Sequence, residues 1–295
     1  MVSTRYYVSR LRNGLSRPRE GVGYLYNLAV GRAKIRLSGA YQKPASQSVL
    51  YDDWDTLVIL DACRFDVFEA VNPFDAPLES RISQASNTGP WFSKNFINVQ
   101  PELTSDVVYV TANPKASSER VDSDRFYHLE ETFRTHWDEE AGTVRPEDVV
   151  DVAIQLHARY PDKRLVVHLL QPHGPFVGTD TPNLHAGSYE SLQRGEVSRE
   201  TVLAAYRECL EYALDEVQRL TEYLSGTVVV TADHGECFGE AGIYAHPPWA
   251  HHETLLTVPW VEVEGEGREP PAATDETGSE VSESVNEQLR RLGYR

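Results

Sequence analysis

Val228-Val229-Val230-Thr231-Ala232-Asp233-His234-Gly235-Glu236 decides the fold class and the chemistry this chain can host. Three consecutive valines read as a strand buried on both faces, as in the interior of a parallel sheet. The run stops on an adjacent carboxylate and imidazole, followed by glycine. Open α/β sheets hold ligands outside the carboxyl ends of their strands, so a metal-capable pair at this point marks a candidate site.

The same pattern recurs on either side. Short β-branched runs at Thr56–Leu60, Val107–Thr111, Leu165–Leu170, Thr227–Thr231 and Thr257–Val263 predict strands. Val149–Tyr160 and Thr201–Leu224 predict helices between them; the second has an apolar stripe through Val202, Ala205, Tyr206, Leu210, Ala213, Leu214, Val217, Leu220 and Leu224. Alternation of this kind predicts an α/β protein with a mixed, largely parallel central sheet and helices on both faces.

Composition bounds the rest. The 295 residues suffice for one large α/β domain, and 40% hydrophobic content supports an extensive core. A formal charge of -17 excludes general nucleic-acid binding, because phosphate backbones would be repelled over most of the surface. Only five of the 28 basic residues are Lys, against 45 acids, a balance that predicts a halophilic origin in which salt screens a dense negative surface. Cys63, Cys209 and Cys237 are an odd, unpaired set and predict reduced thiols. With neither an apolar run long enough to span a bilayer nor a secretory signal, the expected location is cytoplasmic.

The charge is unevenly spread. Residues 1–43 hold nine Arg or Lys and one acid, Glu20, interleaved with Tyr6, Tyr7, Leu11, Leu15, Tyr24, Leu25 and Tyr26. A basic arm of this kind either lies peripherally on an anionic membrane surface or pairs with the protein's own acidic surface. Residues 1–50 therefore read as an N-terminal extension, 51–264 as the catalytic domain, and 265–295 as an acidic linker ending in a short helix, Val281–Leu292.

Four segments put polar groups at predicted strand ends. Leu57 to Leu60 run into Asp61, a hard oxygen ligand suited to a divalent cation; taken alone, Asp61 reads first as a cap of the next helix. Ser86-Asn87-Thr88-Gly89-Pro90-Trp91 offers a hydroxyl that a nearby cation could activate, or simply a turn. In His168-Leu169-Leu170-Gln171-Pro172-His173-Gly174-Pro175, His173 follows the strand and could bind metal, hold a substrate oxygen or protonate a leaving group, whereas His168 reads as core. The loop after Asp233-His234 collects His246, His251 and His252, and a loop has no packing reason to gather imidazoles. Cys63 lacks a nearby histidine and reads as an inert buried thiol.

Together these segments resemble the alkaline phosphatase superfamily, in its sulfatase-like branch. The resemblance rests on Asp61, Arg64 and Asp66; Thr88 and Pro90; His173, Pro175 and Phe176; Thr231 to Glu236; Gly239 to Gly242; His246; and Val258-Pro259, in that order along residues 54–264. It implies that Asp61, Asp233 and His234, with Thr88, bind one divalent metal ion (manganese, zinc, calcium or magnesium). Thr88 would be the nucleophile, His173 and His246 would hold substrate or serve the leaving group, and Arg64, Asn87 and His251 would contact an anionic ester substrate, lipid- or glycan-linked forms included.

Departures narrow this reading. Thr88 stands where sulfatases of the formylglycine type carry Cys or Ser, and no Arg follows at Trp91 or Phe92. Ala62 stands where those enzymes carry a second Asp, and Leu169 where two-zinc members carry one. The expected activity is thus a metal-dependent phosphoester hydrolase or phosphotransferase working through a covalent Thr88 ester, with sulfate the less favoured substrate. The alternative is a degenerate, non-catalytic binder of an anionic or glycan-linked ligand. A two-metal mutase is disfavoured for want of ligands.

Overall fold

The computed structural model describes residues 18–180 and 188–270. The helices are α1 (Pro18–Ser38), α2 (Phe65–Val71), α3 (Thr88–Phe92), α4 (Pro146–Arg159), α5 (Ser188–Arg194), α6 (Arg199–Tyr223) and α7 (Glu253–Leu256). The strands are β1 (Thr56–Asp61), β2 (Leu78–Ile82), β3 (Val107–Thr111), β4 (His128–Glu131), β5 (Trp137–Asp138), β6 (Thr143–Val144), β7 (Arg164–Pro172), β8 (Ser225–Ala232), β9 (Cys237–Phe238), β10 (Tyr244–Ala245) and β11 (Thr257–Glu266).

All five sequence-predicted strands form, and they join a seven-stranded sheet ordered β2-β11-β8-β1-β7-β3-β4. The run from β8 to β4 is parallel, and β11 lies antiparallel against both β8 and β2. The sheet is therefore mixed and largely parallel, as expected. Both of its strands that the sequence pattern does not reveal lie at the edges. β2, Leu-Glu-Ser-Arg-Ile, and β4, His-Leu-Glu-Glu, expose polar side chains to water and lack the apolar run that betrays an interior strand.

Alternate residues of each central strand face opposite layers. Val58 and Leu60 of β1, with Val108, Val110, Val167, Val228 and Val230, meet α2, α4 and α6 through Phe68, Val149, Ala153, Ile154, Leu210, Leu214, Val217 and Leu220. Leu57 and Ile59, with Tyr109, Val166 and Val229, meet Trp91 and Phe92 of α3, Phe96 in the turn behind it, and Phe126. Here aromatic rings replace long helices: Phe96 stands edge-on to Tyr109, with ring centroids 5.0 Å apart. Burying each such large apolar side chain contributes about 1.5–3 kcal/mol.

The basic arm is partly a helix. In α1, Leu28, Gly31 and Ile35 share one face, and Ile35 is buried with Ile243, Trp249, Ala250 and Leu255. Sequence periodicity does not reveal α1, because Arg32, Lys34 and Arg36 interrupt any continuous apolar stripe. Residues 1–17 of the arm and the expected terminal helix Val281–Leu292 lie outside the described residues.

Candidate active site

The carboxyl ends of β1, β7 and β8 are neighbours in the sheet, so Asp61, His173 and the Asp233-His234 pair converge at one edge. Asp61 enters through an irregularity: β1 and β7 shift register between Leu60 and Asp61, and Ala62 then adopts a left-handed backbone with φ of 58°. An alanine in that conformation costs about 1–2 kcal/mol. The Tyr206 hydroxyl of α6 stabilises the turn, donating to the Ala62 carbonyl at 2.7 Å and accepting from the Arg64 N–H at 2.8 Å. Behind β8, Gly235 has no room for a side chain, since a Cβ there would lie 2.0 Å from the Thr254 carbonyl oxygen.

Asp61, Asp233 and His234 form one cluster, their ligand atoms all within 4.8 Å of one another. The His234 Nδ1–H donates to its neighbour's carbonyl at Gly235, 2.9 Å away, which turns a free Nε2 toward the acids. That nitrogen lies 3.3 Å from Asp233 Oδ2 and 3.7 Å from Asp61 Oδ1. Asp233 Oδ1 accepts from the N–H groups of Ala62 and His234 at 3.0 and 2.8 Å. Asp233 Oδ2 is buried without a hydrogen-bond donor. Burial, and then the charges of Asp233 and Glu236, push Asp61 well above the usual carboxylate range; burial likewise raises Asp233. Burial and the neighbouring His246 hold His234 far below an ordinary histidine. Two dry carboxylates around a neutral imidazole, with one oxygen unpartnered, fit a bound cation.

Thr88 is the first residue of α3, set by Asn87, whose side-chain oxygen accepts from the Gly89 N–H. The Thr88 hydroxyl donates to Asp61 Oδ1 at 3.4 Å and lies 3.2 Å from His234 Nε2. Asn87 also donates through Nδ2 to the His246 carbonyl at 3.4 Å, bridging the Thr88 turn and the histidine loop.

A second cluster of potential ligands, His173, Glu236 and His246, adjoins the first. His246 Nδ1 lies 3.0 Å from Glu236 Oε2, and its ring centroid is 4.6 Å from that of His234 and 5.1 Å from that of His173. Burial pulls His246 down, but the charge and hydrogen bond of Glu236 outweigh it and hold this imidazole above its usual value. Burial raises Glu236, and His246, then His173, more than offset that, leaving it below the usual range. His173 is lowered to about 4 by burial and by the His246 charge; its Nδ1–H donates to the Gly174 carbonyl at 2.7 Å, so Nε2 is unprotonated.

Two expected substrate contacts point elsewhere. Arg64 is 5% exposed, and its guanidinium binds Asp66 through two bonds of 2.8 and 2.7 Å, Glu240 at 2.7 Å and the Glu236 carbonyl at 3.2 Å. Its charge is consumed in holding the loop beyond β8. His251 packs beside Tyr41, ring centroids 6.1 Å apart, under the influence of Arg32 and Lys94, and belongs to neither cluster. Conversely, the sequence pattern assigns no role to Asn113 or Glu236. Asn113 donates its side-chain amide to Asp61 Oδ2. It stands just past the end of β3, the same strand-end signal that picks out Asp61.

The Sulfatase family model matches residues 88–286. No curated protein matches the chain. Among solved structures, the soluble domain of lipooligosaccharide phosphoethanolamine transferase A from Neisseria meningitidis is 14% identical, with 77% of this chain and 80% of that one covered, at a TM-score of 0.51. The integral membrane protein lipooligosaccharide phosphoethanolamine transferase A (EptA) from the same organism is 15% identical, covering 90% of this chain and 59% of that one, at 0.53. The C-terminal periplasmic domain of phosphoethanolamine transferase EptC from Campylobacter jejuni is 14% identical, covering 75% and 84%, at 0.49. At these identities the likeness is one of fold. The cytoplasmic location expected from the sequence is overturned, because the lipooligosaccharide phosphoethanolamine transferase A whose fold this chain shares is an integral membrane protein. No helix among the described residues is long and apolar enough to cross a membrane, which leaves the compartment unspecified. The family match, spanning more than half of the chain, places it in the Sulfatase family, within the alkaline phosphatase superfamily.

Proposed function

We propose that the protein is a metal-dependent phosphoester hydrolase or phosphotransferase in which Thr88 attacks the phosphorus of an anionic ester. The observation that carries this reading is the position of the Thr88 hydroxyl, 3.4 Å from Asp61 Oδ1 and 3.2 Å from His234 Nε2, at the mouth of a cation-shaped acidic cluster. Asp61, Asp233, His234 and the Thr88 oxygen would hold one divalent ion. When bound, that ion lowers the hydroxyl pKa and neutralises charge on the phosphoryl oxygens.

The chain's own groups do the rest. Asn113 and the Thr88 hydroxyl itself hold Asp61 in register. Thr88 passes its proton along its hydrogen bond to Asp61 Oδ1 as its oxygen bonds to phosphorus, and the ester's leaving oxygen departs with the former P–O pair. His246, charged through its pairing with Glu236, donates a proton to that oxygen. His173, neutral at ordinary pH, accepts a hydrogen bond through Nε2 from a substrate N–H or O–H. Water, or an acceptor hydroxyl in a transferase, then attacks the phosphothreonine. The structural neighbours named for phosphoethanolamine transfer support a phosphodiester, including a lipid-linked one, as the substrate to try first.

The test is a matched set of aryl phosphate monoester, phosphate diester and sulfate substrates, with manganese, zinc or chelator, alongside Thr88→Ala. Metal-dependent cleavage of a phosphate ester that falls by at least about 10³-fold in Thr88→Ala is expected, the scale of losing a nucleophile. Silence from the wild type on all three substrates, with metal bound, would return the chain to the non-catalytic binder.

A further inference from the structure

We infer that the outer face of α1 and the segment after it form a docking surface for an anionic lipid bilayer. Its base is fixed to the active-site loop. Ile35 is buried against Trp249, and a Cβ on Gly31 would lie 2.3 Å from the Trp249 ring, so helix and indole are in close contact. Beyond the helix, Gln42 N–H donates to the His251 carbonyl at 3.0 Å and Glu253 N–H to the Ala40 carbonyl at 2.8 Å, an antiparallel seam that ties residues 40–42 to the loop carrying His246.

Two cavities flank this helix and share Trp249 as a wall. One, of about 180 Å³, is lined by Arg32, Ile35, Arg36, Tyr41, Trp249 and His251. The other, of about 220 Å³, has Lys34, Gln193 and Tyr244 among its walls. Among the described residues no carboxylate lines either one, in a chain with 45 acids and a charge of -17. Glu253 follows the seam but lines neither cavity. Between residues 28 and 43 stand Arg32, Lys34, Arg36 and Lys43 with no acid. All four are exposed, and Leu37 beside them is 88% exposed. Arg36 lies over the half-exposed Tyr41 ring, 5.5 Å from its centroid.

Cations around small aromatic-walled hollows, with an apolar tip projecting from the same helix, are the complement of a phospholipid surface. Phosphate groups meet the cations, the half-exposed Tyr41 suits the headgroup level, and Leu37 enters the acyl boundary. The rest of this acidic protein is repelled by such a surface, so charge also fixes orientation. The docked helix would hold the His246 loop at the lipid. This inference does not depend on catalysis at Thr88.

Flotation of the full 295-residue chain with vesicles tests it. Binding is expected to phosphatidylcholine vesicles containing about 30% phosphatidylglycerol, an anionic surface, and not to pure phosphatidylcholine. Arg32→Glu/Arg36→Glu should weaken it by at least about tenfold, given the usual attraction of a basic residue to an anionic leaflet. Both side chains are solvent-exposed, and an unchanged melting temperature would confirm that the variant folds. Should it not fold, progressive release of the wild type by sodium chloride tests the same contact, because only an electrostatic attraction is screened. Thr88→Ala should float like the wild type. Equal binding to both vesicle types, or a folded variant that binds undiminished, would overturn the proposal. So would release by inorganic phosphate beyond that of sodium chloride at equal ionic strength, which would indicate a site for free phosphate.

Discussion

The two side-chain clusters at the sheet edge use the same residue types in opposite ratio. Asp61, Asp233 and His234 are two acids and one base; His173, Glu236 and His246 are one acid and two bases. In the first, burial raises both acids, with the charge of Asp233 adding to it at Asp61, and burial together with the His246 charge depresses the imidazole, so every group is driven toward its neutral form. In the second, Glu236 falls and His246 rises, so the pair is ionised and compensates itself. The first cluster is fully buried while His246 of the second keeps 18% of its side chain exposed, and the stoichiometry differs as well. The first cluster fits a cation from outside, whereas the second is electrically complete and free to exchange a proton or a hydrogen bond with a ligand.

Asp233→Asn breaks the comparison hardest, because it leaves the first cluster with one acid and one base, like a simple pair. Metal content by elemental analysis should fall from about one ion per chain to near zero, and hydrolysis should fall with it. Chelator should lower the melting temperature of the wild type but not of Asp233→Asn. A ligand present at about 100 times its Kd stabilises by about 2.7 kcal/mol, and only the wild type has that stabilisation to lose. Retention of a full equivalent of metal by Asp233→Asn would remove the distinction between the clusters.

Glu236→Gln comes next, since it removes the compensating charge from the second cluster and leaves the first intact. Turnover should drop about 10²-fold, the lower part of the range for general acid–base groups, with metal content unchanged. If metal were lost as well, the second cluster would be a ligand set rather than a proton relay, and the contrast would fail.

These assignments also show where the sequence is legible. The interior strands β1, β3, β7, β8 and β11 announce themselves because burial on both faces demands apolar runs, and Asp61, Thr88, His234 and Asp233 stand at their ends or in the loop facing them. The structure gathers those four into one buried cluster. Edge strands β2 and β4 are illegible because water satisfies their faces, and α1 because, among the described residues, Ile35 is the one buried apolar side chain it sets against Trp249. Arg64 misleads: it sits two residues from Asp66 in a site-like motif, yet its partner Glu240 is 176 residues away, and only the folded chain shows that this pair is closed. Glu236 stands in plain view beside Asp233 and His234, but a carboxylate just past a strand end gives no sign of the histidine it will meet.

Arg64 sharpens the contrast from a third side, since it holds the Glu236 carbonyl and Glu240 without touching Asp61 or Asp233. Arg64→Leu should cost about 3 kcal/mol in denaturant unfolding, at the lower end for a buried pair broken on one side. Its effect on turnover should resemble a weak Glu236→Gln, with metal still bound. Loss of metal in Arg64→Leu would mean that the two clusters share one support and cannot be separated by mutation.

The smallest effect is the pH dependence of that same support. Burial raises Glu240, but the hydrogen bonds and charge of Arg64, together with Arg199, overcome it and bring the carboxyl down to about 2. A carboxyl that titrates lower in the folded chain than in the unfolded one, where it lies near 4.5, stabilises the fold fully above the unfolded value. That contribution is lost as pH falls through the interval from about 4.5 to about 2, because the unfolded state takes up the proton first. Glu240→Gln lacks it at every pH. The difference in unfolding free energy between wild type and Glu240→Gln should therefore be constant above about pH 5 and shrink below it. Glu240 is partly solvated, with 18% of its side chain exposed, which keeps the change below that of Arg64→Leu. A difference that stayed constant down to about pH 3 would show that Glu240 acts through shape rather than charge, and that the loop holding Glu236 does not depend on the ion pair with Arg64.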